Sequence, residues 1–327
     1  MTRVFTAAYN HFNMTLVSDD PARFSADGYP DQPIRFIVPF AEGGPGDILA
    51  RLIGRKLTES WGQPVLVENH PGAGGTIGSA IGARSAADGY TLILAASTHA
   101  INPSLYATLP YDTVKDFQPV TLMISMPNIL VVNPSVPVDS VADLIAFARL
   151  HPAQLKYASG GAGTPSHLGA ELLKTMTGVD IVHVQFSGHA TAGAALVKGE
   201  VSMMFDAILL ALPEVKAGKV KALGVTSAKR SAVAHEVPTI AESGLPEFDF
   251  SPGVGVLVRA GTPKAILNKI YKEIVRILGL PEVRERLARD GAEIIGSTPE
   301  EFSAYIDQEI AKWAKVVKAA GISAQHS

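Results

Sequence analysis

Residues 38 to 51 read Val-Pro-Phe-Ala-Glu-Gly-Gly-Pro-Gly-Asp-Ile-Leu-Ala-Arg. They take the chain from the end of an apolar strand, through a glycine-rich bend, into an amphipathic helix. Gly43, Gly44 and Gly46 allow close approach and unusual backbone angles, and Asp47 suits a helix N-cap. Free N–H groups and the positive end of the helix dipole then point into one crevice, a place suited to an anion. The bend also lies at the C-terminal end of a first strand, where ligands of open α/β sheets bind. A plain strand-to-helix connection uses the same vocabulary of glycine and proline.

The device recurs between residues 155 and 174. Leu-Lys-Tyr-Ala-Ser reads as a strand, Gly160 to Thr164 as the bend and Ser166 to Lys174 as a helix start. Two anion-ready turns far apart in sequence fit a pair of α/β lobes that face each other and close on a small carboxylate.

Around these turns the pattern alternates strand and helix, which means parallel sheet. Strands are expected at Ile34 to Phe40, Val65 to Glu68 and Thr91 to Ala96, with helices at Asp47 to Trp61 and Thr76 to Ala86. A long extended stretch follows near Val120 to Val132, then a helix N-capped by Ser140 with Asp143 in its first turn. A second series runs from Val141 to Thr226. Val254 to Val258 reads as a return crossing, and two long helices, Pro263 to Leu280 and Pro299 to Ala319, close the chain on the first lobe without further strands. The expected division is 30–132 plus 249–327 for the first lobe and 133–248 for the second, with the two crossings as the hinge.

The composition sets limits. At 327 residues, 47% hydrophobic and 18% charged, the chain has enough apolar material for two buried lobes. A net charge of -3 and the lack of any Lys or Arg run leave no footprint for nucleic acid. There is no cysteine, so disulfides and thiolate chemistry are excluded. No apolar run reaches the roughly 18 residues that span a bilayer. Residues 1 to 29 carry Asp19, Asp20, Arg23 and Asp27, which interrupt any secretory apolar region, and they read as a leader or appended segment.

Other constellations are open to two readings. Gly72-Ala-Gly-Gly-Thr-Ile-Gly78 resembles a dinucleotide turn, but Ile77 stands where the third glycine belongs, so a plain helix start is the simpler reading. Ser97, Thr98 and His99 follow a buried strand, as pocket hydroxyls do and as polar turns do. His99, His167 and Asp206 with Ser166 or Ser97 form no recognisable triad, and no Gly-x-Ser-x-Gly elbow exists. The nine histidines are scattered, without metal-ligand spacing. Asp206 closes the apolar strand Val201 to Phe205 and faces either a pocket or a helix start.

Seven segments carry a resemblance: Tyr-Pro-x-x-Pro-Ile-Arg-Phe-Ile-Val-Pro-Phe at 29–40, Gly-Gly-Pro-x-Asp at 43–47, Val-Glu-Asn-x-Pro-Gly-Ala-Gly-Gly at 67–75, Thr-His-Ala-Ile-Asn-Pro-Ser-Leu-Tyr at 98–106, Gly-Thr-Pro-Ser-His-Leu at 163–168, Phe-Asp at 205–206, and Val-Pro-Thr-Ile-Ala-Glu-Ser-Gly at 237–244. Together they make the chain similar to the Bug family, extracytoplasmic substrate-binding proteins of tripartite tricarboxylate transporters. The resemblance implies a two-lobed α/β fold of the type II periplasmic-binding-protein kind, a monomer in the periplasm without catalysis or cofactor. It would bind a small carboxylate and deliver it to the transporter's membrane subunits.

The same resemblance implies the binding residues. They are Phe40, Ala41, Gly43, Gly44, Pro45 and Asp47 in the first loop, and Gly160, Gly161, Ala162, Gly163, Thr164, Ser166 and His167 in the second, with Ser97, Thr98, His99 and Asp206 lining the rest. Departures from the family pattern are Glu42 in the first loop, Phe186-Ser187-Gly188 for the usual Tyr-Lys-Gly, and Pro252 or Gly253 for a common aromatic. Two rival readings remain at this point: a nucleotide-dependent enzyme on a doubly wound sheet, separable by its response to dinucleotides, and a sensor domain of the same fold.

Overall fold

The computed structural model describes residues 27 to 323; the expected leader lies almost wholly outside them. Two sheets form the frame. The first has the order β11-β4-β10-β3-β1-β2, made of β1 (Ile34–Val38), β2 (Val65–Asn69), β3 (Thr91–Ala95), β4 (Phe117–Ser125), β10 (Gly253–Arg259) and β11 (Glu293–Ile294). The second has the order β7-β6-β8-β5-β9, made of β5 (Asn128–Val132), β6 (Lys156–Ser159), β7 (Val182–Gln185), β8 (Met203–Ala207) and β9 (Lys221–Val225).

Each sheet contains three mutually parallel strands, β1 to β3 in one and β6 to β8 in the other. All six run directly into a helix: α1 (Pro45–Trp61), α2 (Thr76–Ala83), α3 (Ser97–Leu105), α5 (Pro165–Thr177), α6 (His189–Lys198) and α7 (Ile208–Lys216). The remaining helices are α4 (Val141–Leu150), α8 (Lys264–Leu278), α9 (Pro281–Arg289) and α10 (Pro299–Ala320). The central strands β3, β5 and β8 are buried throughout, as apolar runs covered on both faces must be. No helix among the described residues is long and apolar enough to cross a membrane.

The sheets are joined by two short crossings that lie side by side. The chain leaves β4 at Ser125 and enters β5 at Asn128; it returns from the 226–252 segment into β10. Met126 N–H donates to Pro252 O at 3.0 Å, and Ser125 Oγ to Ser251 O at 3.2 Å. Strand β5 therefore belongs to the second sheet, and the change of sheet comes at Met126-Pro127, earlier than the boundary expected after Val132. The apolar runs on either side hide this break, because either sheet buries such residues equally well; only Ser125, Pro127, which has no N–H, and Asn128 mark it.

The C-terminal part also differs from the expected pair of helices without strands. Leu280-Pro281 reads as a helix end but is a helix start, with proline at the first position of α9, and β11 adds a short edge strand to β4. Nor does α10 pack only on the first lobe. Its Phe302 and Ile306 enter the core formed by Ile93, Phe117 and Leu257, whereas Trp313 and Val317 enter the core of the second sheet, with Trp313 edge-on to Phe250. Ser97 to His99, expected as the turn after the third strand, open helix α3. Nine residues containing Asn102-Pro103 give too little period to be seen.

Candidate functional site

A single large cavity of about 1060 Å³ lies between the sheets, above the range of roughly 300 to 1,000 Å³ common for ligand sites. Its wall comes from the C-terminal ends of all six parallel strands. Both sequence-identified loops border it: Phe40, Ala41, Gly44 and Pro45 from one side, Gly160, Gly161, Ala162, Thr164 and His167 from the other, with Ser97 at the start of α3.

The helices around it begin in an unusual way. The N-cap residues of α1, α2, α3, α5, α6 and α7 are Gly44, Gly75, Ala96, Thr164, Gly188 and Ala207, and every one lines the cavity. None of the six has a side-chain cap. The first N–H groups of a helix have no partner one turn back; Thr76 N–H of α2 is taken up by Ala73 O and His99 N–H of α3 by Ala96 O, but no side chain closes any of the six starts, and six positive dipole ends are turned into one space. Among the described residues the wall contains no Lys and no Arg. Glu42 is the only carboxylate among the described residues of the wall, and that side chain is 78% exposed and 3.4 Å from Arg51. The acid that departs from the family pattern is thus paired.

Seven expected site residues stand behind the wall. Asp47 is not the N-cap of α1, which is Gly44, but its third residue; its carboxylate accepts from Gly43 N–H at 2.9 Å, Arg51 Nε at 3.0 Å and Asn69 Nδ2 at 3.0 Å. These contacts hold its pKa below the ordinary value against burial, which acts first and pushes it up. In α5 the third residue plays the same part: His167 Nδ1 accepts from Gly163 N–H at 3.1 Å. Each loop is thus clamped by a side chain reaching back to the glycine before the N-cap, as the third residue of a capping box does.

The other second-loop residues finish the clamp. Ser166 Oγ accepts from Gly160 N–H at 3.1 Å, and Thr164 Oγ1 donates to Gly161 O at 2.6 Å. Thr98 and His99 are buried inside α3, not in a polar turn. His99 sits edge-on to Phe117 and stacked over Tyr111, with Nε2 3.1 Å from Thr113 O, and burial pushes its pKa down to about 4. Asp206 is buried within β8 and bonds to Ala207 N–H at 2.8 Å and His189 Nδ1 at 3.0 Å.

His167 itself borders the cavity in a neutral stack. Its ring lies 4.4 Å from that of His183, which lies 4.7 Å from Tyr157. Burial first, then the neighbouring His183, pushes the pKa of His167 down to about 4, and burial lowers His183 as well. Tyr157 is tied at 2.6 Å to Glu171, which Lys174 approaches at 2.7 Å.

The structure adds wall residues that the sequence reading did not assign. The 71–75 turn borders the cavity, with positive φ at Gly72, Gly74 and Gly75. Its crowding of glycines was the available signal, read instead as a failed dinucleotide motif. Gly78 serves packing, since a Cβ there would stand 2.7 Å from Pro39 Cα. Asn128, Tyr106, Pro252, the 183–191 segment and 321–323 also contribute, and only Gly188 among them carried a local turn signal.

The model of the tripartite tricarboxylate transporter family receptor matches residues 49–322. The chain belongs to this family. Among its relatives, protein BugT of Bordetella pertussis is 38% identical over 302 residues, covering 92% of this chain and 93% of BugT. Of solved structures, R. palustris Rpa4515 with adipate has a TM-score of 0.87 at 38% identity, covering 90% of this chain and 99% of that one. MatC (Rpa3494) from Rhodopseudomonas palustris with bound malate has a TM-score of 0.84 at 36% identity, covering 88% and 100%. Periplasmic binding protein BugD has a TM-score of 0.85 at 33% identity, covering 91% and 100%. The fold, two α/β lobes about one cleft, is shared with these solved structures.

Proposed function

We propose that this receptor captures a small carboxylate between its lobes, performs no chemistry on it, and delivers it outside the cytoplasmic membrane to the membrane subunits of a tripartite tricarboxylate transporter. The observation that carries the reading is the ring of six helix starts without side-chain caps around a cavity whose described wall holds no Lys or Arg. Such a ring neutralises an anion with many partial charges, each helix end contributing about 0.3 to 1 kcal/mol.

Residues 40–47 and 160–167 form the facing cradles, Ser97 adds a hydroxyl, and the paired crossings at Met126 and Pro252 form the hinge. Ligand contacts drawn from both lobes favour the closed state by their differential affinity. Adipate and malate in the relatives point to dicarboxylates as the first class to test.

The test is a thermal-shift screen of mono-, di- and tricarboxylates beside dinucleotides, followed by calorimetry. At a hundred times Kd a ligand stabilises the fold by about 2.7 kcal/mol, enough for a clear rise in melting temperature. Stabilisation by a carboxylate and none by dinucleotides is expected. Stabilisation by dinucleotides alone would replace the receptor by an enzyme reading.

A further inference from the structure

We infer that His189 is the residue by which this receptor recognises the second carboxylate of a dicarboxylate. The inference rests on the carboxylate reading above and adds a named determinant to it. His189 is the first residue of α6, borders the cavity, and is held from behind by Asp206, whose Oδ1 lies 3.0 Å from Nδ1.

Asp206 is buried, and the same Oδ1 also accepts from Ala207 N–H at 2.8 Å. An ionised carboxylate only accepts, so Nδ1 carries a proton in either charge state of the ring. Nε2 is the remaining nitrogen. Among the described residues it has no hydrogen-bond partner, and it is not one of the fully buried unpaired atoms, so it stays open on a residue that borders the cavity. The ring lies against the second cradle: a Cβ on Gly160 would stand 3.4 Å from His189 Cδ2 and 3.1 Å from its backbone nitrogen.

Charge balance gives this nitrogen its role. A second carboxylate in a partly enclosed site needs hydrogen-bonding partners of its own, best of opposite charge. Among the described residues the titratable groups that border the cavity are Glu42, Tyr106, His167, His183 and His189, and the Tyr106 phenol carries no positive charge in either of its forms. Glu42 has the wrong sign and is paired with Arg51. In His167 the Nδ1 lone pair is already used by Gly163 N–H, and His183 Nε2 lies 2.6 Å from Ser159 Oγ, with the two rings stacked so that charging one opposes charging the other. His189 alone among them is backed by a carboxylate. With both ring nitrogens bearing hydrogen, Nδ1 donates to Asp206 and Nε2 to the ligand, so the ring stands between two carboxylates.

The test is calorimetry on the full chain with C4 to C8 dicarboxylates, each beside the monocarboxylate of the same length, for example adipate and hexanoate. In the unaltered protein the dicarboxylate should bind more tightly. His189→Ala should weaken the dicarboxylate about ten- to a hundredfold and leave the monocarboxylate within about twofold. His189→Gln, which keeps a neutral donor and the ring-sized side chain's reach, should also lose the preference, and it serves if the alanine variant fails to fold. Equal losses for both acids, no loss for either, or a protein that binds only monocarboxylates would overturn the role of His189 while leaving a carboxylate receptor. Binding of no carboxylate by the unaltered protein would defeat the receptor reading and this inference together.

Discussion

Helices α1 and α5 begin at the cavity; α4 and α10 begin away from it, and the two pairs treat the same physical problem in opposite ways. Ser140 caps α4 by accepting from Asp143 N–H at 3.0 Å. Thr298 and Glu301 form a reciprocal box on α10, at 3.2 and 2.8 Å. At the cavity, by contrast, the capping residues are Gly44 and Thr164, with proline following each and no side chain turned back onto the helix donors. The side chains that could have capped, Asp47 and His167, instead hold the glycine preceding the cap. Local stability is thus completed where nothing else binds, and donors are left open where a ligand can complete them. Helices α8 and α9 also lack side-chain caps, but their first two residues are exposed to solvent rather than turned into the cavity.

The strongest way to break this contrast is to cap a cavity helix. Gly44 has φ -77° and ψ 165°, the conformation of an ordinary N-cap, and a Cβ there meets only Ala41 O at 3.6 Å. Gly44→Asp should therefore fold, cap α1 with its own carboxylate and raise the melting temperature or leave it unchanged. The same charge in the cleft should repel a carboxylate by several kcal/mol, a loss of affinity greater than about a hundredfold. Calorimetry and a melting curve on one sample decide it; unimpaired binding would mean that the α1 end does not face the ligand.

How far this arrangement could be read from the chain depends on how local each signal is. The loops 40–47 and 160–167 were legible because glycine, proline and a helix pattern crowd into a few positions, and both do border one cavity. The other four helix starts were not. Gly75, Ala96, Gly188 and Ala207 leave donors open by having nothing to offer, and a missing cap writes no motif. Their convergence depends on sheet order, which places β3 beside β1 and β8 beside β6, and sheet order is a long-range property. The roles of Asp47 and Asp206 failed for a similar reason: the acid in each site was visible, but whether it met ligand, backbone or another side chain depended on partners such as Asn69 and His189.

A second effect concerns the histidines behind and beside these helix starts. His99 and His167 are the third residues of α3 and α5, near positive dipole ends, and both have a pKa pushed down to about 4, first of all by burial. In the unfolded chain an imidazole takes its proton near roughly pH 6.5. Below that pH the unfolded state binds more protons than the folded one, so stability is full above it and falls as pH drops from about 6.5 to 4. For a shift of about 2.5 units, each residue accounts for at most about 3 kcal/mol. Urea unfolding at pH 7, 5.5 and 4.5 should show the decline, and His99→Gln, if folded, should flatten it. A level profile would show that these sites accept protons without resistance.

The smallest effects sharpen the contrast most directly. Thr164→Ala removes a hydroxyl that fixes the second cradle through Gly161 O and Ser166. It should weaken carboxylate binding about tenfold, in keeping with roughly 1 to 1.5 kcal/mol for one hydrogen bond. Ser140→Ala removes a true cap from α4 and should cost about 1 kcal/mol of unfolding free energy, with ligand affinity unchanged. Denaturant curves and titrations on both variants give four numbers. If side-chain caps serve the fold and open helix starts serve the ligand, the binding loss belongs to Thr164 alone, while Ser140 loses stability alone. A Ser140 variant that also bound poorly would mean that the start of α4 is coupled to the cleft, and the division between closed and open helix ends would then be one of degree.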